Sequence, residues 1–318
     1  MHKVIFDTDP GVDDAMALLF LHKHPQIELI GVTTVFGNAP IELTTRNALY
    51  LGEAWNIQAP VAQGAGQTFD PARGGKYWPT AIHGHNGIGD VPVPDAIARQ
   101  PDPRPAYQFI IDTVRAHPGE VTLIAVGRMT NLALVLKHDP DVAALVKQVI
   151  VMGGAFDVNG NVSPAAEANI HGDPEAADLV FTASWPVVVV GLDVTMKTVM
   201  TSGYLADMVE TGAPEIKLLS DISQLYIDFY KTRVDGMVVH DSCACVYLVR
   251  PDLFATRSGP VRVVCGGIAD GQTIQKPDAR AFPPGPWDGH PSQLITTGID
   301  ADGVLSVIRA ALVESRAL

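Results

Sequence analysis

The chain has 318 residues, of which 47% are hydrophobic and 18% are charged, and its formal net charge is −13. This length and composition predict a folded chain with a large core and exclude extended disorder. The excess of acidic residues argues against a nucleic-acid or anionic-membrane surface, so we expect neither partner. Three cysteines without CxxC spacing, and an N-terminus that enters a strand directly, lead us to expect a cytoplasmic protein.

Strand-like and helix-like segments alternate along the first two thirds of the chain. Short apolar runs predict strands at residues 4–6, 27–35, 60–62, 121–126, 149–152 and 187–192. Helices are predicted at residues 15–21, 39–55, 105–116, 130–136 and 174–181. This alternation favours an α/β fold with a doubly wound, mostly parallel central sheet and flanking helices, a Rossmann-like open sheet.

The C-terminal part is predicted to be mainly helical. Helices are expected at residues 204–210, 216–231, 240–248 and 302–316, and strands at 261–264 and 294–297, which we interpret as an appended hairpin. The stretch 63–104 is rich in Gly and Pro, and a loop of this length predicts a lid or a wall of a site. No linker divides the chain, so we expect one domain over residues 1–318.

Four carboxylates crowd into the turn between the first strand and the first helix: Asp7, Asp9, Asp13 and Asp14. Neighbouring carboxylates raise each other's pKa, whereas a bound divalent cation keeps them ionised. Oxygen ligands suit Ca²⁺ or Mg²⁺ better than zinc, and the sequence has no HExxH motif. The alternative is that these carboxylates only cap a helix. Asp7 is interpreted as a structural hydrogen-bond acceptor.

Other polar residues follow later strands of the predicted sheet. Ligands of open α/β sheets bind beyond the carboxyl ends of the strands, and Asn38, Glu167 and Asn169 come after such ends. His240 and Asp241 open a later helix, and periodicity does not place them at the site.

The segment Asp7-Thr8-Asp9-Pro10-Gly11-Val12-Asp13-Asp14 resembles the N-terminal signature of the inosine-uridine preferring nucleoside hydrolase family. Further segments match the family's order and approximate spacing, at residues 36–38, 83–84, 129–133, 152–154, 166–169, 173–177 and 240–241. Together these segments extend over most of the chain.

The resemblance implies calcium-dependent hydrolysis of the N-glycosidic bond of ribonucleosides to ribose and free base, a nucleoside salvage reaction. It implies that Asp9, Asp14, Asp241 and the backbone carbonyl of Val126 hold Ca²⁺, whose bound water attacks the anomeric carbon. Asp9 is then the expected general base. His240 is the expected acid for the leaving base, because an imidazole near its ordinary pKa can donate a proton at neutral pH.

The resemblance also implies the contacts to the rest of the nucleoside and the assembly of the protein. The residues implied for the sugar are Asp13, Asn38 and Asn169 at the 2′ and 3′ hydroxyls, Asn161 and Glu167 near the 5′ hydroxyl, and Met152 along the pocket. His83, Tyr226 and Tyr230 are expected beside the base, although tyrosines at helical spacing also suit a core. A homodimer or homotetramer is implied.

Two positions depart from the family pattern. Arg128 stands where Gly or Pro is common, and Ser242 stands where Pro often follows His-Asp; we expect neither to touch a proposed ligand side chain. The choice among purine, pyrimidine and broad base specificity stays open. Two other functions also stay open: a metal-dependent phosphatase with Asp7 as nucleophile, which would lack an evident basic phosphate clamp, and a non-catalytic calcium- or sugar-binding protein of the same fold.

Overall fold

The computed structural model describes residues 1–74 and 77–314. The strands are β1 (His2–Thr8), β2 (Ile27–Thr34), β3 (Val61–Gln63), β4 (Val121–Ala125), β5 (Gln148–Met152), β6 (Val187–Val190), β7 (Val199–Met200), β8 (Met237–Val238), β9 (Phe254–Gly259), β10 (Val261–Val263), β11 (Thr273–Gln275) and β12 (Gln293–Ile299).

The helices alternate with these strands in the first half and dominate the second. They are α1 (Val12–Lys23), α2 (Ile41–Ala54), α3 (Thr80–His83), α4 (Ala106–Ala116), α5 (Thr130–His138), α6 (Ala168–Gly172), α7 (Pro174–Thr182), α8 (Leu192–Thr195), α9 (Ser202–Val209), α10 (Pro214–Tyr230), α11 (His240–Val249) and α12 (Ala301–Arg309).

Eight strands form the main sheet in the order β3-β2-β1-β4-β5-β6-β12-β9. Every neighbouring pair is parallel except β12 and β9, which are antiparallel. The chain order reverses between β1 and β4, and open α/β sheets bind ligands at such a switch point. The predicted doubly wound, mostly parallel sheet is confirmed.

The sheet is buried on both faces, which explains the uninterrupted apolar strands in the sequence. Side chains alternate along β1: Val4 and Phe6 pack into one hydrophobic cluster, and Ile5 packs into a second cluster on the opposite face. The first cluster includes residues of α1 and α11, and the second includes residues of α4 and α5. These two layers of helices fix the positions of the loops at the carboxyl ends of the strands.

The predicted C-terminal hairpin is wrong. Strand β10 pairs with β11, which the sequence reading missed, whereas β12 enters the main sheet between β6 and β9. The side chain of Gln293 explains part of this docking, because its Oε1 accepts a hydrogen bond from the backbone N–H of Val187 at 2.7 Å. Such a contact joins residues too far apart in the chain for local patterns to reveal.

Several element boundaries also differ from prediction, among them the ends of β6 and α12. Strand β6 ends at Val190, because Leu192 already begins α8. Helix α12 ends at Arg309 and continues as a π-helical turn over Ala310–Glu314; residues 315 and 316 of the predicted helix lie outside the described residues. Among the helices of the described chain, none is long and apolar enough to cross a bilayer.

Candidate active site

The turn between β1 and α1 is held together by its own carboxylates. Asp14 accepts hydrogen bonds from the Thr8 hydroxyl at 2.5 Å, the Gly11 N–H at 3.0 Å and the Asn38 side-chain amide at 2.9 Å. Asp14 therefore completes the N-terminus of α1, whose first amides have no partner within the helix. Asp14 thus caps the helix, as the alternative interpretation of the acidic turn predicted.

Asp7 is a structural residue within the sheet, as the sequence predicted. Its Oδ1 accepts hydrogen bonds from the Thr33 hydroxyl at 2.5 Å and the Asn131 amide at 2.7 Å. Burial raises the pKa of Asp7 to about 7, although both hydrogen bonds oppose the shift. These bonds tie β1 to β2 and α5, and they disfavour Asp7 as the nucleophile of a phosphatase.

Asp9 lies in a cradle formed by two glycines. Its Oδ2 accepts the Asn38 N–H at 2.7 Å, and Oδ1 is buried without a hydrogen-bond partner in the described part of the chain. A Cβ atom on Gly37 would lie 1.9 Å from Oδ2, and one on Gly127 would lie 2.5 Å from Oδ1. Only glycine leaves room for the Asp9 carboxylate at both positions.

Three further carboxylates, those of Asp13, Asp14 and Asp241, meet beside Asp9. Each offers an oxygen within 4.8 Å of the other two, and all three residues are buried. Burial and then the charge of Asp14 raise the pKa of Asp13 to about 8, and burial and then Asp13 raise that of Asp241. So much buried negative charge requires a cation or protons, and an all-oxygen set suits a hard metal ion.

Only some of the predicted metal ligands belong to this three-carboxylate cluster. Asp14 and Asp241 belong to the three-carboxylate cluster, and Asp13, which we expected at the ribose, is its third member. Asp9 lies outside that cluster, but its unpartnered Oδ1 is the kind of buried acceptor that a bound cation would satisfy. The residues present fit a divalent cation.

A cavity of about 730 Å³ opens above these carboxylates. Nearly all of the predicted site residues line it: Asp9, Asp13, Asn38, His83, Val126, Met152, Asn161, Glu167, Asn169, Tyr226, Tyr230, His240 and Asp241. Asp14 is the exception, because it does not line the cavity. The tertiary structure therefore gathers segments from nearly the whole chain around one pocket.

One end of the cavity is polar and is built around α6. The Asn169 amide donates to the Val126 carbonyl at 2.7 Å and to the Met152 carbonyl at 3.2 Å, which ties α6 to the ends of β4 and β5. Glu167 caps α6 and accepts three backbone N–H groups, those of Gly154, Asn169 and Ile170, at 2.9 to 3.1 Å. Its carboxylate is therefore largely committed to the protein backbone. Asn161 Oδ1 likewise accepts the N–H of Ala168 at 3.0 Å.

Imidazole and phenol rings form another part of the cavity wall. His83 Nδ1 accepts the Val12 N–H at 3.1 Å, and its ring meets that of Tyr226 edge-on, with 6.4 Å between centroids. The ring centroids of Tyr226 and Tyr230 lie 4.8 Å apart. Tyr226 is 3% exposed, so it is both a core residue and part of the cavity wall.

His240 does not keep the ordinary pKa that we expected. Burial lowers its pKa to about 4, and burial together with His240 lowers the pKa of His83 to about 3. His240 Nδ1 lies 2.8 Å from the Thr195 hydroxyl, which orients the ring. Both imidazoles are therefore neutral at pH 7 in this structure, a result of burial that composition and spacing do not reveal.

Arg128 lines the cavity, although it was not predicted as a site residue. Burial and the charge of Asp14 raise the pKa of Asp9, and the positive charge of Arg128 opposes this shift. Arg128 therefore belongs to the cavity wall, although the structure shows no hydrogen bond between it and a proposed ligand side chain in the described residues. Its position just after β4, at the carboxyl edge of the sheet, was the available signal.

The fold and the pocket define an α/β enzyme with an acidic, metal-suited site at the switch point of its sheet. The profile of the family described as inosine-uridine preferring nucleoside hydrolase matches residues 4–306. The chain belongs to this family, so it is an enzyme that hydrolyses the N-glycosidic bond of ribonucleosides. The family is metal-dependent, which agrees with the acidic cluster.

Individual relatives cover nearly all of the chain. Uridine nucleosidase 1 from Arabidopsis thaliana is 40% identical over 317 residues, which are 98% of this chain and 93% of that protein. The solved structure of a plant nucleoside hydrolase has a TM-score of 0.93 and 37% identity, covering 98% of this chain and 99% of its own. A purine-preferring ribonucleoside hydrolase from Gardnerella vaginalis has a TM-score of 0.91 and 32% identity, with 98% of both chains covered.

Proposed function

We propose that this enzyme is a calcium-dependent ribonucleoside hydrolase of nucleoside salvage that acts on uridine. The observation that carries the proposal is the pocket itself. It contains a group of buried carboxylates, and its wall presents side-chain amides together with aromatic and imidazole rings. Such a pocket is complementary to a nucleoside, because the sugar is rich in hydroxyls and the base is flat and largely apolar on its faces.

Asp9, Asp14, Asp241 and the carbonyl of Val126 would hold the calcium ion. A bound calcium ion would supply a Lewis acid that lowers the pKa of water and draws ribose hydroxyls toward the carboxylates. Asp13 adjoins Asp14 and Asp241, so a ribose hydroxyl bound by Asp13 would lie next to the ion site. The all-oxygen donor set supports calcium over zinc.

In the proposed reaction, Asp9 accepts a proton from the attacking water as a C–O bond forms at C1′ and the bond from C1′ to the base nitrogen breaks. Asp13, Asn38 and Asn169 hold the 2′ and 3′ hydroxyls, while Met152, Asn161 and Glu167 border the rest of the sugar. The buried carboxylates stabilise the positive charge that develops on the ring, as in glycoside hydrolysis.

The leaving base departs between the rings of His83, Tyr226, Tyr230 and His240. In the tautomer whose Nδ1 accepts the Thr195 hydroxyl, His240 presents Nε2–H to the base and donates a hydrogen bond as negative charge develops on it. The low pKa of His240 means that the neutral ring predominates at pH 7. The base therefore leaves as an anion with the bonding electron pair, stabilised by this hydrogen bond, and takes its proton from solvent rather than from an imidazolium.

Uridine is proposed as substrate because the uridine nucleosidase of Arabidopsis is 40% identical to this chain, more than the purine-preferring relative at 32%. We further propose a cytoplasmic location and a homodimer or homotetramer, the assembly that the family resemblance implies. The acidic net charge of −13 is consistent with a small-molecule substrate rather than nucleic acid.

The test is to incubate the purified protein with uridine, cytidine, inosine and adenosine in calcium and in excess chelator, and to quantify free base and reducing sugar. We expect uridine to be cleaved fastest, chelation to abolish turnover, and calcium to restore it more fully than magnesium. Faster cleavage of inosine would refute the base assignment, and turnover that survives complete chelation would refute the metal assignment. Phosphate release from a phosphomonoester would instead support the phosphatase alternative.

A further inference from the structure

Arg128 is fixed at one place in the cavity wall. Its guanidinium lies over the ring of Phe36, 4.3 Å from the centroid, and a Cβ atom on Gly172 would lie 2.4 Å from its Nε. The absence of a side chain at Gly172 therefore makes room for the guanidinium beside α6. An arginine held between a ring and a glycine loses little further conformational entropy when it binds a ligand.

The donors of Arg128 are unused. Within residues 1–74 and 77–314, the guanidinium makes no hydrogen bond or ion pair, although it is partly buried and carries five N–H groups. Arg73 lines the same cavity but donates to Glu175 at 2.7 Å and to Asp270 at 2.6 Å. Arg128 lines the cavity, so these N–H groups are open to an acceptor that arrives with a ligand.

Arg128 lies on the side of the cavity that α6 forms. It contacts Gly172, the last residue of α6, and Asn169 of the same helix donates to the Val126 carbonyl two residues before Arg128. In a ribofuranoside, C1′ with its base and C4′ with its C5′ group flank the ring oxygen. With the base between the histidine and tyrosine rings and the sugar beside Asn161 and Glu167, as proposed, the C5′ oxygen would lie toward α6 and Arg128.

Among the side chains named beside α6, the Asn161 amide keeps its N–H groups available, since only its Oδ1 is engaged, whereas Glu167 and Asn169 do not offer a free donor. The Glu167 carboxylate is an acceptor and already binds three backbone N–H groups. The Asn169 amide donates to the carbonyls of Val126 and Met152. A guanidinium, in contrast, donates through several N–H groups in a fixed plane and suits an oxygen with exposed lone pairs.

We propose that Arg128 is an additional substrate-binding residue that donates hydrogen bonds to the oxygen on C5′ of the ribose. This inference rests on the proposed function, because the orientation of the sugar follows from placing the base between the rings. Arg128 would thereby make the enzyme selective for sugars that carry a C5′ oxygen.

The first test compares kcat/KM for uridine and 5′-deoxyuridine in four proteins: wild type, R128M, R128K and R73M. Because a hydrogen bond to a charged donor is at stake, wild type should prefer uridine by about tenfold to a hundredfold. R128M keeps an apolar stem over Phe36 and should lose most of this preference, whereas R128K should retain part of it. R73M, the matched cavity arginine, should keep the wild-type ratio. An equal loss on both substrates in R128M would overturn the inference.

The second test measures binding without turnover. Calorimetry with methyl β-D-ribofuranoside and its 5-deoxy analogue, in calcium, should give tighter binding of the parent sugar by wild type and similar binding of the two sugars by R128M. Equal affinities in wild type, or no binding of either sugar, would overturn the inference. If wild type cleaves no nucleoside, the proposed function fails, yet these affinities still decide the role of Arg128.

Discussion

A single methyl group at Gly37 should disable the site while leaving the fold intact. A Cβ atom there would lie 1.9 Å from Asp9 Oδ2, against about 3.4 Å for ordinary contact, so the carboxylate must move by roughly 1.5 Å. Gly37 does not adopt a positive φ, so alanine fits the backbone and the clash with Asp9 is the main cost. A displacement of this size at a general base costs about a hundredfold in rate, or about 2.7 kcal/mol.

The assay is kcat/KM for uridine in calcium, together with thermal unfolding followed by circular dichroism. Gly37→Ala should lose about a hundredfold in kcat/KM and keep a cooperative transition. Gly203→Ala is the matched control, because no atom lies within 4 Å of the added Cβ and the position is helical, so activity should match wild type. Activity of Gly37→Ala within about threefold of wild type would refute the steric coupling of Gly37 to Asp9.

Three further predictions test the electrostatics of the site. Asp9→Asn should weaken calcium binding and abolish turnover together, as measured by calorimetry and by uridine hydrolysis; unchanged calcium affinity would remove Asp9 from the ligand set. Thr195→Val should lower kcat/KM by about tenfold through loss of the 2.8 Å contact to His240, whereas Thr195→Ser should stay near wild type. In chelator, the free energy of unfolding should fall as pH rises from about 7 to about 9. Folded Asp7 and Asp13 have pKa values of about 7 and about 8, above the ordinary 3.8, so the folded chain binds more protons than the unfolded chain in this window. Below about pH 6.5 the buried His83 and His240 oppose this slope, because their folded pKa values of about 3 and about 4 lie below the ordinary 6.5. Urea unfolding at several pH values checks the slope, which calcium should reduce; a slope of opposite sign in chelator would contradict the raised pKa values.

The alternation of apolar runs and helical segments was sufficient to predict the sheet class, because both signals are local. The same is true of the acidic turn: strand, turn and helix are contiguous, so Asp9, Asp13 and Asp14 had to lie near one another. The order of the late strands was not predictable in this way. The place of β12 between β6 and β9 depends on contacts between distant residues, such as Gln293 with Val187.

The site shows the same division between local pattern and tertiary contact. Residue types and strand ends pointed to Asp9, Asp13, Asn38, Glu167 and Asn169, because ligands of open sheets bind beyond the strand ends. The family resemblance supplied most of the other side chains that line the cavity. Burial decided the rest: it lowers the pKa of His240, commits Glu167 to backbone N–H groups and places Asp9 between two glycines. The tertiary fold also places Arg128 in the cavity wall. Solvent exclusion and contacts across the fold arise only when distant segments meet, so they have no signature in the order of the residues.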